Sequence, residues 1–277
     1  MSACWCSSIL NKTYQQRGRN VWLDEVKQAA VESRQGRAFV VRNQPSSAST
    51  ADHRTANRGA AVDPAKSVRD LGIHIDGDQI MRTRVKRTMS HCFAALRQLR
   101  QIRSSVPPAT FLSLVVTLVL SRLDYGNAVL IGLPAYLVRR LQTVLYAAAG
   151  LIYHIRSADH ITDALASLHW LHVPEWIEYK VAVLTYNILH RSAPQHLGPL
   201  VPVADLPSSR TLCSAGTNRL LVPPVRLSTV GNRAFTVAGP RVWNTLPEDV
   251  TTSQSLTMFC RHLKTWLFRK SYPDIIL

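Results

Sequence analysis

Residues 67–103, SVRDLGIHIDGDQIMRTRVKRTMSHCFAALRQLRQIR, decide the fold predicted for this chain. They open with an extended run at 68–75, which a turn at 76–78 ends. From residue 81 to 103, apolar residues recur every three or four positions, a spacing that predicts one amphipathic helix. At about 100° per residue, four cations lie within roughly 60° of one another along one edge of the apolar stripe: Arg82, Lys86, Arg97 and Arg100.

This basic edge has two interpretations. A helix that buries one side and directs cations along its flank can lie against a phosphate backbone. The same pattern is typical of the solvated edge of an ordinary core helix. On the residues of this segment alone, both interpretations stay open.

The composition indicates a globular, strongly basic protein. The 277 residues are 46% hydrophobic and 18% charged, which suits one large or two modest domains with a substantial core. A net charge of +16 favours polyanionic partners, nucleic acid first and an anionic membrane second. Residues 66–156 carry 13 Lys and Arg against 4 Asp and Glu, so we expect a polyanion to bind this part of the chain.

Cysteine usage and hydropathy favour an intracellular location, in the nucleus or cytoplasm. The five cysteines are odd in number and scattered, with no secretory segment ahead of them, which argues against a disulfide framework. No uncharged apolar run approaches 18 residues, and the longest, at 111–120, has the length of a buried core helix. We therefore expect no membrane partner.

The pattern after residue 103 predicts a mainly α fold. Helices are expected at 111–122, at 134–155, in a short segment through 168, and at 174–190, joined by short turns that contain proline. Arg139 and Arg140 point away from the buried side of their helix and add to a basic surface. The sequence thus predicts a helical bundle with a short strand and turn at its start.

The chain divides into three predicted regions. Residues 1–61 are expected to have little fixed structure, and residues 62–192 to form the helical domain. Residues 193–277 are rich in proline, with extended runs predicted at 220–225 and 234–237 and a last basic helix at 255–269 that Ser255 caps. This C-terminal extension is predicted to be a small, irregular α/β appendage.

No catalytic residue or metal site is predicted. His169 and His172, near Asp159 and His160, form the best local cluster, but no cysteine pair completes a tetrahedral set. Asp124 stands without a second carboxylate and is interpreted as the polar end of a helix. The tryptophans are interpreted as core residues rather than base-stacking platforms: Trp170, Trp176, Trp243 and Trp266.

Several motifs occur in a distinctive order: SVRDLGI at 67–73, SRLDYGN at 121–127, LHWLHVP at 168–174, PRVWNTLP at 240–247 and a closing FCRHLKTWLF at 259–268. Their order and spacing over roughly residues 62–275 resemble the C-terminal part of the reverse transcriptase of animal non-LTR retrotransposons (LINEs) of the jockey-like type. The resemblance implies a polymerase thumb and its extension, which grip a template–primer duplex. It places the strand with Leu71 and Gly72 near the primer and the basic helix on the nucleic-acid backbone.

The resemblance also implies what the chain lacks. The palm strands with metal-binding aspartates would precede residue 67, where the sequence has no Ala-Asp-Asp run. We therefore expect a truncated RNA-directed DNA polymerase fragment that is inactive alone, with residual binding of an RNA–DNA or DNA duplex and Mg²⁺ only when a complete palm is present. Expected protein partners are the missing palm and fingers, or a second copy. The alternative is a helical protein-interaction or scaffold module with no nucleic-acid function.

Overall fold

The computed structural model describes residues 66–155, 161–193, 197–205 and 218–274. These ranges are mainly helical and begin with a two-stranded sheet, so the predicted fold class is confirmed. The predicted N-terminal region, residues 1–61, lies outside them. No helix in the described ranges is long and apolar enough to cross a membrane.

The extended run predicted at 68–75 is two strands rather than one. Strand β1 (Ser67–Asp70) pairs antiparallel with β2 (Ile73–Asp76). Leu71 and Gly72 form the two-residue turn between them, with φ of 43° and 83°. Two positive φ angles define a type I′ turn, whose twist matches that of the paired strands. Leu71 and Gly72 were therefore wrongly placed within a strand, because a leucine at positive φ is not a local turn signal.

The turn at 76–78 is confirmed, and its carboxylates hold the start of helix α1 (Arg82–Ile102). Met81, the residue before the helix, has a φ of 65° and makes no side-chain cap. Asp76 accepts a hydrogen bond from the Thr83 amide at 3.0 Å. Asp78 makes a 3.3 Å salt bridge to Arg82. Both carboxylates lie at the positive end of the helix dipole, where negative charge is stabilising.

Two long helices follow α1 and lie at the centre of the body. Helix α1 packs against α4 (Ala135–Tyr153), and the C-terminal helices pack on α6 (Val173–Leu189). Proline at or just before each helix start fits the prediction, since its fixed φ suits the first helical turn. The remaining helices of this part are α2 (Pro108–Val115), which continues through a π-helical stretch (Val116–Leu120) into α3 (Ser121–Asp124), and α5 (Ile161–Ser167).

The C-terminal extension contributes helices α7 (Ser228–Gly231), α8 (Phe235–Asn244), α9 (Glu248–Thr251) and α10 (Leu256–Ser271). Ser255 caps α10, as predicted, by accepting a hydrogen bond from the Met258 amide at 3.3 Å. The extended run predicted at 234–237 is wrong, because these residues begin α8. A Cβ on Gly239 would lie 3.0 Å from the Thr185 hydroxyl oxygen, so this glycine lets α8 approach α6 closely.

One hydrophobic core joins helices on both sides of the division predicted at 192/193, which itself stays a prediction. Phe259 of α10 is fully buried and stacks between Tyr186 of α6 and Trp243 of α8, with ring centroids 4.4 and 5.7 Å away. Trp170 is also buried. The other two tryptophans pack against the same core, so the core interpretation of all four is confirmed.

Candidate nucleic-acid interface

The basic edge predicted for α1 is exposed along its full length. Arg82, Lys86, Arg97 and Arg100 all lie on the solvent side, while the opposite arc is buried around Val85 and Leu99. At 1.5 Å per residue, the four cations span about 27 Å of helix axis. They form two pairs whose centres are about 22 Å apart. The half-buried side chains of Met89 and Phe93 lie between the pairs.

Helix α4 lies beside α1 and runs in the same direction. At one end, the Arg82 Nε donates a hydrogen bond to the Tyr136 hydroxyl at 3.3 Å. At the other end, an Arg103 guanidinium nitrogen donates to the Ile152 carbonyl at 2.7 Å. The first turns of the two helices therefore meet, and so do the last turns.

Arg139 and Arg140 are both exposed, but they point in different directions. They lie about 100° apart around α4, one on each side of Tyr136. On the edge nearer Arg139, Gln142 accepts a hydrogen bond from the Val173 amide of α6 at 2.8 Å. That edge faces α6, so the edge with Arg140 is the one beside α1.

We define the basic face as the six exposed cations of α1 and α4 predicted from the sequence: Arg82, Lys86, Arg97, Arg100, Arg139 and Arg140. Neither helix contains an aspartate or glutamate. Among the described carboxylates, only Asp78 makes a salt bridge to one of these cations, Arg82. The hydrogen bond to Tyr136, followed by the charge of Asp78, raises the pKa of Arg82. The face is therefore positive along both helices, with one partly neutralised end.

The residues predicted to lie near a primer are held by a cluster around Arg84. This arginine is buried on the inner side of α1 and donates hydrogen bonds to the carbonyls of Gly72, at 3.5 Å, and Tyr125. The Tyr125 hydroxyl donates to the Leu71 carbonyl. The Arg84 guanidinium also lies 5.4 Å from the centre of the Tyr125 ring. Two motifs that are far apart in the sequence, Leu71-Gly72 and Tyr125-Gly126, therefore meet at the start of α1.

Sequence reasoning missed the role of Arg84. A signal was present, because Arg84 falls among the buried positions of α1. Charged residues are seldom fully buried unless they are paired, so an arginine inside an apolar arc indicates nearby acceptors.

Arg233 joins the C-terminal extension to the helical body and was also missed. It donates hydrogen bonds to the carbonyls of Val129 and Ile131, each at 3.2 Å, and to that of Gln79. Burial lowers the pKa of Arg233. Because its donors are already directed at three carbonyls, we do not count Arg233 as part of the basic face.

The sites rejected from the sequence have structural roles. The His169 ring packs 5.7 Å from Phe268, and the His172 ring 4.9 Å from Tyr272. Burial lowers the pKa of His172. Asp159 and His160 lie outside the described residues. The described part of the chain contains no group of three side chains suited to a metal ion.

Asp124 is the last residue of α3, as the helix-end interpretation requires, and it has a charged partner. Its carboxylate is buried and lies 3.0 Å from the Lys180 ammonium of α6. A buried carboxylate with this partner fixes α3 against α6.

Comparison with family models, with curated proteins and with solved structures gives no match to this chain. Its function is therefore inferred from its own residues and geometry, in which the basic face is the most prominent surface.

Proposed function

We propose that this chain binds a nucleic-acid duplex through the basic face, as a thumb-like module of the reverse-transcriptase type. The observation that carries the proposal is the exposure of all six cations of the basic face, on two parallel helices that contain no carboxylate. Each cation that neutralises a phosphate releases a counterion, and this release favours binding. The ligand expected from the resemblance is an RNA–DNA hybrid or a DNA duplex.

The spacing of the cations suits contact with the phosphate backbone. The two pairs on α1 are separated by about 16 Å along this edge of the helix, so they can reach phosphates on two sides of a groove. Phosphate contacts orient a protein on a duplex but carry no sequence information. We therefore expect binding with little dependence on base sequence.

A duplex fits this face better than an anionic membrane does. Interfacial helices insert an apolar side between lipid headgroups. The apolar side of α1 is already buried in the protein core, and α4 likewise buries Leu137, Leu141 and Leu145. Exposed cations on helices whose aliphatic side is buried in the core favour a hydrated polyanion.

The relationship to reverse transcriptases rests on the ordered motifs. The meeting of Leu71-Gly72 with Tyr125-Gly126 supports it, because two of the motifs that carry the resemblance are in mutual contact. We do not propose that this chain polymerises DNA alone. Polymerisation requires metal ions held by carboxylates, and on the proposed relationship Mg²⁺ and the palm and fingers belong to a complementary part.

A protein-interaction module is the second candidate function. Apolar side chains around the C-terminal extension are solvent-exposed, and exposed apolar patches are common at protein interfaces: Val201, Leu221, Leu227 and Val230. A partner whose binding is unaffected by excess duplex competitor would favour this function, whether that partner is a second copy or another protein.

Two variants, each of which loses four positive charges, test duplex binding. In the first, the four cations of α1 become glutamine: Arg82, Lys86, Arg97 and Arg100. In the control, four exposed arginines outside the basic face become glutamine: Arg219, Arg226, Arg241 and Arg261. Anisotropy of a labelled RNA–DNA hybrid of about 20 base pairs measures affinity, and each lost phosphate contact weakens binding and lowers its dependence on salt.

The first variant is expected to lose at least about tenfold more affinity than the control at moderate salt, since only its changes remove phosphate contacts. Far-UV circular dichroism and thermal unfolding confirm that both variants remain folded. Equal losses in the two variants would mean that net charge alone attracts the duplex, and would contradict the proposed face.

A further inference from the structure

The exposed side of α4 carries a row of three tyrosines. Tyr136, Tyr146 and Tyr153 are 45%, 38% and 46% exposed. They fall within about 100° around the helix, at axial intervals of about 15 and 10.5 Å. The same sector contains Arg139 and, between the aromatic rings, the small residues Thr143 and Gly150. Each tyrosine of the row is therefore partly exposed to solvent.

Two of the three rings are held at their tips. The Tyr136 hydroxyl accepts a hydrogen bond from Arg82, and the Tyr153 hydroxyl is 3.0 Å from the Ser167 hydroxyl of α5. A ring that is fixed at its hydroxyl loses little further freedom when a flat ligand stacks on it. The rings are thus oriented before any ligand arrives.

The electrostatic surroundings of this row favour a polyanion. Arg139 lies within the row, Arg140 flanks it, and α4 itself contains no aspartate or glutamate. On its Gln142 edge the row approaches α6, whose first turn contains Glu175. Aromatic rings interleaved with arginine are the usual surface for single-stranded nucleic acid, because every base has a face that can stack. A duplex hides the faces of its bases and cannot use exposed rings in this way.

We propose that the tyrosine row of α4 binds single-stranded nucleic acid by base stacking. This activity goes beyond duplex binding and does not depend on it. The row is about 26 Å long, which a strand at 3.4 Å per nucleotide covers with about eight nucleotides. The site meets the α1 cations at Tyr136, so a strand leaving a bound duplex there enters the row directly.

The experiment compares the full chain with two triple variants. In one, Tyr136, Tyr146 and Tyr153 become alanine; in the other, they become phenylalanine, which keeps the rings. Anisotropy of a labelled oligothymidine of about 12 nucleotides measures single-strand affinity, and the RNA–DNA hybrid serves as the duplex probe. Because base stacking on several aromatic rings adds to affinity, the alanine variant is expected to lose at least about 30-fold in single-strand affinity.

The phenylalanine variant is expected to stay within about threefold of the wild type for the single strand, because it keeps the rings. Duplex affinity is compared in a Tyr146→Ala/Tyr153→Ala variant, which leaves Tyr136, the partner of Arg82, in place, and it should stay within about threefold of the wild type. Affinity should also rise with oligothymidine length up to about eight nucleotides and then level off. If the alanine variant unfolds, Tyr146→Ala alone replaces it, with an expected loss of at least about fivefold.

Two results would overturn the proposal. One is wild-type single-strand affinity in the alanine variant; if this variant also loses a dimer in analytical ultracentrifugation, the row binds a second copy instead. The other is an equal loss in the phenylalanine and alanine variants, which would point to the hydroxyls rather than the rings. If the α1 glutamine variant loses duplex affinity but still binds the single strand, the proposal for the tyrosine row is supported.

Discussion

Arg84 is the residue on which the local arrangement at the start of α1 depends most. It ties the helix to the hairpin turn through Gly72 and to the end of α3 through Tyr125. Its partners lie 12 and 41 residues away in the sequence, so no local pattern identifies them. The exposure of the neighbouring cations, by contrast, follows from helical periodicity alone and was predictable.

Replacing Arg84 with methionine is expected to lower the free energy of unfolding by about 2–4 kcal/mol, because two carbonyls lose their charged donor. Urea denaturation followed by circular dichroism measures the change. The exposed neighbour Arg87 provides the control, since Arg87→Met should stay within about 0.5 kcal/mol of the wild type. Equal effects of the two substitutions would contradict the bridging role of Arg84.

The buried thiol of Cys92 is expected to make the stability of the fold decrease at alkaline pH. Its thiol is fully buried in α1 and faces the Val119 carbonyl at 3.7 Å, and burial raises its pKa from 9.0 to about 11. Above pH 9 the unfolded chain loses this proton while the folded chain keeps it, so the stabilising contribution of the neutral thiol is present below pH 9 and is lost as pH rises towards 11.

We expect the stability difference between the wild type and Cys92→Ala to change by about 1.4 kcal/mol per pH unit across this window, with the wild type losing more. Urea midpoints at several pH values between about 8 and 10.5 measure it. Parallel pH profiles for the two proteins would show that the thiol ionises as easily in the folded chain as in the unfolded one.

At the scale of elements, helix starts were easier to predict than the C-terminal extension. Proline fixes the backbone for a first helical turn, and Ser255 caps its helix through a local hydrogen bond. The residues that begin α8 have β-branched and aromatic side chains followed by Gly239 and Pro240, a pattern that locally favours a strand and a break. Packing of α8 against α6 overrides that preference, and only the tertiary structure reveals it.

A substitution of Phe259 tests whether the C-terminal helices belong to the main core. Phe259→Ala removes the ring that stacks between α6 and α8 and leaves a cavity, so we expect a loss of about 3–5 kcal/mol of stability. The neighbouring Met258 is exposed, and Met258→Ala should change stability by less than about 0.5 kcal/mol. Denaturant unfolding distinguishes the two. A small effect of Phe259→Ala would mean that α10 packs loosely.

Disrupting the ion pair of Asp124 and Lys180 tests the contact of α3 with α6. Asp124→Ala leaves a largely buried ammonium without this partner and is expected to cost about 3–5 kcal/mol. Adding Lys180→Met removes the ammonium as well and should restore part of the loss. A double-mutant cycle by urea unfolding measures the coupling, and strictly additive effects would contradict a direct interaction.

At the scale of the whole molecule, the distribution of charge is the feature most relevant to function. Of the chain's 33 Lys and Arg, 13 fall in residues 66–156, with only 4 Asp and Glu. The sequence predicted that this region is basic and which cations are exposed. It did not predict that α1 and α4 lie parallel, which brings Arg140 beside the cations of α1, because that depends on packing.

The salt dependence of duplex binding tests the central claim most directly. Anisotropy titrations of the full chain with an RNA–DNA hybrid at several salt concentrations give the slope of log affinity against log salt, about −0.9 per phosphate contact. Six cations, one of them shared with Asp78, predict a slope of about −4 or steeper. Replacing the four α1 cations with glutamine should flatten it by about 3. No binding at low salt, or a slope that the substitutions leave unchanged, would contradict duplex binding by the basic face.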